Sequence, residues 1–433
     1  METKYLLILC VAVVGLVQAG KHDIYSRHSV YNVHVRNKSD QQLLHDLEQQ
    51  LDLDIWQDGV AGVREAQVMV TPQRKQEFLQ ALEVYGIGYS LHLNDVAEAF
   101  ELHDRQMATW RSTRRNRMIF QDFPRYEDVN AYLDDIARRF PNLVTLVEAG
   151  KSYEGRDIKY LKISTTNFED KSKPVYFMTT MIHAREWVTT PVALYSIYRL
   201  VENTRAEDMD VLNDVDWIIL PLLNPDGYEF SHTDDRLWRK TRSNHANNPN
   251  CLGVDGNRNF GRNWNTIGTS PDPCSQIYPG PNAFSEQETR NVRDIMNEYL
   301  DRIQLFMDIH SFGKYVTYGY GDESLPDNAA QLHIVASAMG GAIDTRKLPQ
   351  AGFYLVGNSA TLMYNTSGCA QDYGQSIGIP FSYTLELPSY GYGFVVPPEY
   401  IDQINEETWH GTAMSARLAR TFYRARYNAA PRP

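Results

Sequence analysis

Four stretches limit what this chain can fold into: PVYFMTTMIH (174–183), DWIILPLLN (216–224), QLFMDIH (304–310) and PFSYTLEL (380–387). They are apolar and β-rich without sustained polar alternation, the mark of strands covered on both faces. Helix patterns such as TPVALYSIYRLVEN and SEQETRNVRDIMNEYL separate them. From about residue 118 to 433 this order predicts one α/β domain, a central sheet with helices on both sides. The chain has no internal repeat and no low-complexity tract.

Composition narrows the class. Of 433 residues, 42% are hydrophobic and 22% charged, ordinary for a soluble globular protein and against disorder. A net charge of −12 with pI near 5.5 lacks the basic excess that phosphate neutralisation requires, which argues against a nucleic-acid partner. Residues 1–19 read as a secretory signal: Lys4, an apolar run from Tyr5 to Val17, and a Val17-Gln18-Ala19 cleavage site. The run falls short of the ~20 residues that span a bilayer, so the mature chain is expected to be secreted and extracellular, with no membrane partner. Cys10 leaves with the signal. Of the three remaining cysteines, Cys251 and Cys274 flank a loop rich in Asn, Gly and Pro and are expected to form a local disulfide, with Cys369 a buried free thiol. Sequons at Asn37 and Asn365 permit glycans.

Residues 20–117 read as a separate pro-segment. Between about 29 and 94, Tyr31, Val33 and Val35 begin a strand, and a helix follows with Ser39 or Asp40 as cap and Leu43, Leu44, Leu47 and Leu51 as its stripe. Two short strands, a helix from Thr71-Pro72 to Gly86 and a strand with Tyr89, Leu91 and Leu93 complete βαββαβ, a ferredoxin-like order. The stretch HDRQMATWRSTRRNRM then crowds Arg111, Arg114, Arg115 and Arg117 with no apolar period, and is expected to be an exposed connector cut by a trypsin-like protease.

The chemistry sits at strand ends. In HAREW, His183 and Glu186 lie three apart just past a buried strand, and His310 ends another. A His, Glu, His set with a free fourth position is the pattern of a catalytic zinc. Arg239, Arg242, Asn257, Arg258 and Tyr364 follow, and guanidinium groups suit recognition of a free carboxylate. In PFSYTLELP, Glu386 shares a face with Ser382 and Thr384, and a carboxylate in so apolar a strand needs a partner or a task as general base.

In order and spacing these residues resemble the secreted zinc carboxypeptidases of the A/B, or pancreatic procarboxypeptidase, type, over nearly the whole chain. The resemblance implies a mixed central sheet behind a ferredoxin-like pro-domain, and one Zn²⁺ per chain held by His183, Glu186 and His310. It implies Glu386 as general base and acid, Arg242 as oxyanion stabiliser, Asn257, Arg258 and Tyr364 on the substrate's terminal carboxylate, and Arg185 on the peptide further upstream. Asp255 would orient His183, Cys251 and Cys274 match the family's disulfide, and the enzyme would act as a monomer on peptide or protein C-termini. Phe312 stands where a tyrosine is common, and the ELPSYGYGF segment is one residue short.

The pocket for the terminal side chain would be lined by Thr317, Gly321, Ser359, Met363, Thr366, Gln371 and Thr384, with Gln371 where A-type enzymes have an apolar residue and B-type enzymes an aspartate. That uncharged lining favours release of aliphatic, aromatic or polar uncharged residues over Lys or Arg. Two rivals are a serine hydrolase, from the G-x-S-x-G match at 374–378, and a non-catalytic peptide-binding protein on the same fold. The first has a strand after the motif where a helix is required, and the second would be expected to have lost a ligand, the base or the oxyanion arginine.

Overall fold

The computed structural model describes residues 20–114 and 116–429. The signal expected over 1–19, and Arg115 of the connector, lie outside the described residues.

The small N-terminal unit follows the expected βαββαβ order: β1 (Ser29–Val33), α1 (Lys38–Leu51), β2 (Asp54–Gln57), β3 (Ala66–Val70), α2 (Lys75–Val84) and β4 (Tyr89–Leu93). Its antiparallel sheet runs β2-β3-β1-β4. Tyr31, Val33, Leu44, Leu47, Leu51, Val68, Phe78 and Leu82 are buried together. Details depart from the sequence expectation. The cap of α1 is Asn37, whose side chain accepts from the Asp40 amide. Residues 71–74 form a turn ahead of α2, and Leu91 is 51% exposed.

The connector also differs from its expectation. Val96–Thr113 is a helix, α3, capped by Asp95. Val96, Phe100, His103 and Met107 recur at helical spacing, and all are buried. Of the four clustered arginines only Arg111 lies within it, and the other three follow its last residue.

The larger unit holds β5 (Val144–Lys151), β6 (Asp157–Ile163), β7 (Val175–Thr180), β8 (Asp216–Leu220), β9 (Ile303–Ser311), β10 (Tyr315–Tyr318), β11 (Leu355–Asn358) and β12 (Phe381–Leu387). They form one mixed sheet in the order β11-β10-β12-β9-β7-β8-β6-β5. Its centre is parallel (β12, β9, β7, β8) and its edges include antiparallel pairs. Along β7, Tyr176 and Met178 face a core shared with the helices Thr189–Val201, Ala329–Asp344 and Ile401–Ala429. Val175 and Phe177 face a second core with Gln287–Glu298. Period two with apolar cores on both faces is why these strands show no polar alternation.

Candidate metal centre and substrate cleft

The parallel strands at the centre of the sheet end side by side, and the polar residues gather there. His183 and Glu186 occupy the turn between β7 and the helix Thr189–Val201, held by hydrogen bonds from the Ala184 amide to the Arg239 carbonyl and from the Glu186 amide to the His183 carbonyl. His310 is near the end of β9, and Glu386 on β12 is its register partner.

His183, Glu186 and His310 are buried, with donor atoms within 4.8 Å of one another, the one such group among the described residues able to hold a metal. His183 Nδ1 lies 2.8 Å from Glu186 Oε1 and 3.1 Å from His310 Nδ1, and His310 Nδ1 is 3.1 Å from Glu186 Oε2. The far ring nitrogens face carboxylates of their own. His183 Nε2 is 3.0 Å from Asp255 Oδ1 and His310 Nε2 is 2.9 Å from Asp308 Oδ2, and the tautomer with the proton on Nε2 satisfies both carboxylates and leaves each Nδ1 a lone pair to offer a metal. Two lone-pair nitrogens and a carboxylate then face one point, an arrangement of acceptors that a cation satisfies.

The carboxylates behind the imidazoles are themselves fixed. Asp255 precedes the turn Gly256–Arg258 and also accepts from the Asn257 amide (2.9 Å) and from Arg239 Nη2 (2.9 Å). Burial works against its ionisation, yet Arg239 and His183 hold its carboxyl well below the usual range. Asp308 was not singled out from sequence. Its signal is D-I-H on a strand, where residues two apart share a face.

The expected residues Arg185, Asn257, Arg258, Tyr364, Gln371 and Glu386 line the same cavity as the three ligand candidates. Arg258 Nη2 donates to Tyr364 Oη (2.5 Å), and Asn257 Oδ1 accepts from the Ala370 amide (2.9 Å). Burial pushes the Glu386 carboxyl up to about 8. Of the expected pocket residues, Thr317, Ser359, Met363, Thr366, Gln371 and Thr384 line the cavity and Gly321 does not.

Arg242 requires a correction. It lies outside this cavity, its guanidinium over the rings of Phe230 (3.6 Å) and Trp238 (4.5 Å) and facing Glu154 (3.5 Å). Arg239 lines the cleft instead. The chain bends at Lys240, and beyond the bend residues 241–243 are hydrogen-bonded against 253–254, so Arg242 is held apart from Arg239.

The N-terminal unit closes the cavity. Its His45, Asp54, Ile55, Trp56 and Asp58 complete the lining. Asp54 pairs with Arg185 Nη1 (2.7 and 3.0 Å), the His45 ring lies 4.2 Å from that of Tyr364, and Trp56 packs edge-on against Phe394. Tyr315 Oη donates to the Asp58 carbonyl, and Arg64 donates to that of Gly313.

Cys251 and Cys274 are disulfide-bonded. Cys369 is buried, and burial pushes its thiol up to about 11, which makes it a poor nucleophile. Ser376 of the G-x-S-x-G match ends the exposed side of a helix, with β12 following, so the order required of a nucleophile elbow is reversed.

Comparison with known proteins agrees with this geometry. Residues 129–411 match the family described as zinc carboxypeptidase, and residues 31–103 match the carboxypeptidase activation peptide. The chain is 44% identical to a carboxypeptidase B of Helicoverpa zea over 97% of this chain and 100% of that one. It is 33% identical to zinc carboxypeptidase A 1 of Drosophila melanogaster over 93% and 95%. The crystal structure of carboxypeptidase A from Helicoverpa armigera superposes with a TM-score of 0.87 at 45% identity, covering 92% of this chain and 98% of that one. The chain belongs to the zinc carboxypeptidase family and carries that family's activation peptide ahead of its peptidase domain.

Proposed function

We propose that this chain is the secreted zymogen of a monomeric zinc exopeptidase that releases single uncharged residues from peptide C-termini. The observation that carries the reading is the convergence of His183, Glu186 and His310 with Glu386 and a carboxylate-binding set, Asn257, Arg258 and Tyr364, in one cavity.

His183, Glu186 and His310 hold one zinc. When bound, it supplies Lewis acidity for polarising the scissile carbonyl and acidifying water. Asp255 and Asp308 keep the two imidazoles turned toward it. Arg258 and Asn257 grip the terminal carboxylate, with Tyr364 beside them, which places the last peptide bond and no other at the reacting position. Glu386 takes a proton from the attacking water and delivers it to the departing amine. Arg239, not Arg242, faces the developing oxyanion, a contribution of ~3 to 4 kcal/mol in comparable sites. Arg185, once free of Asp54, contacts the peptide upstream.

The uncharged floor around Gln371 supports neutral specificity, because a Lys or Arg side chain would leave its solvation for no counter-charge. One observation favours the B-type alternative: Asp372, next in the chain, is buried with Oδ1 unpartnered. Its carboxyl does not line the cavity, and Gln371 does.

Activation follows cutting of the arginine cluster past α3 by a trypsin-like protease. The test is a blocked dipeptide series assayed after trypsin treatment. Release of one free C-terminal Leu, Phe or Gln is expected. Preferred release of Lys or Arg would overturn the specificity, and absence of any C-terminal release would overturn the peptidase reading.

A further inference from the structure

Three consecutive carbonyls in the loop ahead of β11 each meet a cation. Ala351 accepts from Lys347 Nζ (2.7 Å), Gly352 from Lys314 Nζ (3.5 Å) and Phe353 from Arg64 Nη2 (3.4 Å). Lys347 and Lys314 belong to the larger unit. Arg64 belongs to the N-terminal one, and its guanidinium also donates through Nη1 to the Gly313 carbonyl and lies 4.4 Å from the centre of the Tyr315 ring. Two carbonyls and an aromatic face, all supplied by the peptidase domain, therefore grip a side chain of the activation peptide.

The sheet fixes this grip relative to the reacting groups. Gly313 follows His310 by three residues, and its amide donates to the carbonyl of Leu387, the neighbour of Glu386 (3.0 Å). Tyr315 on β10 is the register partner of Glu386 and lines the cleft. Phe312 lines both the cleft and the adjoining cavity that Arg64 and Gly313 line, so the two spaces meet at its ring. A peptide whose terminal carboxylate is held by Asn257 and Arg258 extends its earlier residues past Glu386 toward Phe312, and one of them reaches the place that Arg64 vacates.

We propose that the activated enzyme carries a guanidinium subsite, built from the Gly313 and Phe353 carbonyls and the Tyr315 ring, which takes an arginine side chain a few residues upstream of the cleaved bond. Arg64 fills it in the uncut chain as that arginine fills it afterwards. Arginine fits better than lysine, because a planar guanidinium donates to both carbonyls while lying on the ring and gives up its hydration more readily. The like charge of Lys314, on the next carbonyl, reduces the gain without closing the site, since Arg64 already occupies it. This rests on the zymogen reading above.

The test is a set of blocked peptides ending in the same Leu, with a single Arg, Lys, Ala or Glu placed two to six residues before the end. They are assayed with the trypsin-treated, zinc-loaded full chain after trypsin, which would itself cut the arginine peptides, and the released pro-segment are removed. At one position Arg is expected to lower KM by ~10-fold against Ala with kcat little changed, as uniform binding does, and Lys by less. Tyr315→Leu should erase the Arg to Ala ratio, and Tyr315→Phe, which keeps the ring, should retain it. A folding defect lowers both peptides together and leaves the ratio in place. No position favouring Arg, Glu favoured over Arg through Lys314, or an unchanged ratio in Tyr315→Leu would overturn the proposal. Binding of the same peptides as C-terminal amides, read by fluorescence anisotropy, needs no turnover. If no peptide were cleaved, the peptidase reading would fall, while tighter binding of the arginine amide that disappears in Tyr315→Leu would still support the subsite, and equal binding would overturn it.

Discussion

At the scale of single residues, the candidate site separates into groups that act on a substrate and groups that aim them. In the proposed mechanism Glu386 is of the first kind. Glu386→Gln keeps shape and removes the base, so kcat is expected to fall by ~10²-fold or more with zinc content unchanged, read by steady-state kinetics beside elemental analysis. Near-normal turnover would remove Glu386 from the mechanism. Arg239 and Arg242 make a sharper pair. Arg239→Met should lower kcat by ~10² to 10³-fold, whereas Arg242→Met, outside the cavity's lining, should leave kcat in place and cost ~1 kcal/mol of stability through its lost contacts with Phe230 and Trp238. The reverse outcome would restore Arg242. That distinction was not legible in LWRKTRS, because sequence spacing does not show how an irregular segment is held. The Ala184 amide on the Arg239 carbonyl is a long-range contact that only the fold supplies. By contrast His183, Glu186 and His310 were legible, since turns and strand ends fix where side chains point.

At the scale of elements, β2 and α3 are where the chain restrains itself. Asp54 on β2 pairs with Arg185, whose side chain is 4% exposed. Asp54→Asn leaves that guanidinium buried and uncompensated, and the uncut chain should gain at least ~10-fold activity on small substrates. An uncut Asp54→Asn chain as silent as the unaltered one would contradict the contact's role. Helix α3 adds a pH-sensitive contact. His103 Nε2 lies 3.1 Å from the Val396 carbonyl, and burial, with help from Arg236, depresses its pKa to about 4. The docked state therefore binds fewer protons than a released one, so docking is full above ~6.5 and weakens as pH falls toward 4. Melting of the uncut chain between pH 7 and 4 should show this slope, and His103→Gln should flatten it. Helix α3 itself was missed as a connector. Arginines drew attention to its end, while its apolar face, Val96, Phe100, His103 and Met107, carries a histidine that reads as polar and is buried. The strand and helix order was legible because burial on two faces leaves a compositional mark. Caps were less so, since Asn37, Ser39 and Asp40 are all plausible acceptors and only geometry selects Asn37.

At the scale of the whole molecule, two units meet over one cavity, and each contributes to its lining. Sequence showed that there are two units and what the larger one can do. It did not show which residues of the smaller one reach the cleft, because docking depends on shape as much as on pattern. The central claim is that the facing acceptors of His183, Glu186 and His310 hold a zinc on which peptide cleavage depends. The most direct measurement is turnover of a blocked dipeptide by the trypsin-treated chain during zinc removal and return, with metal counted by elemental analysis. Activity should vanish as zinc leaves and recover in full at one zinc per chain. Turnover that persists in fully stripped protein, or recovery that needs no metal, would contradict it.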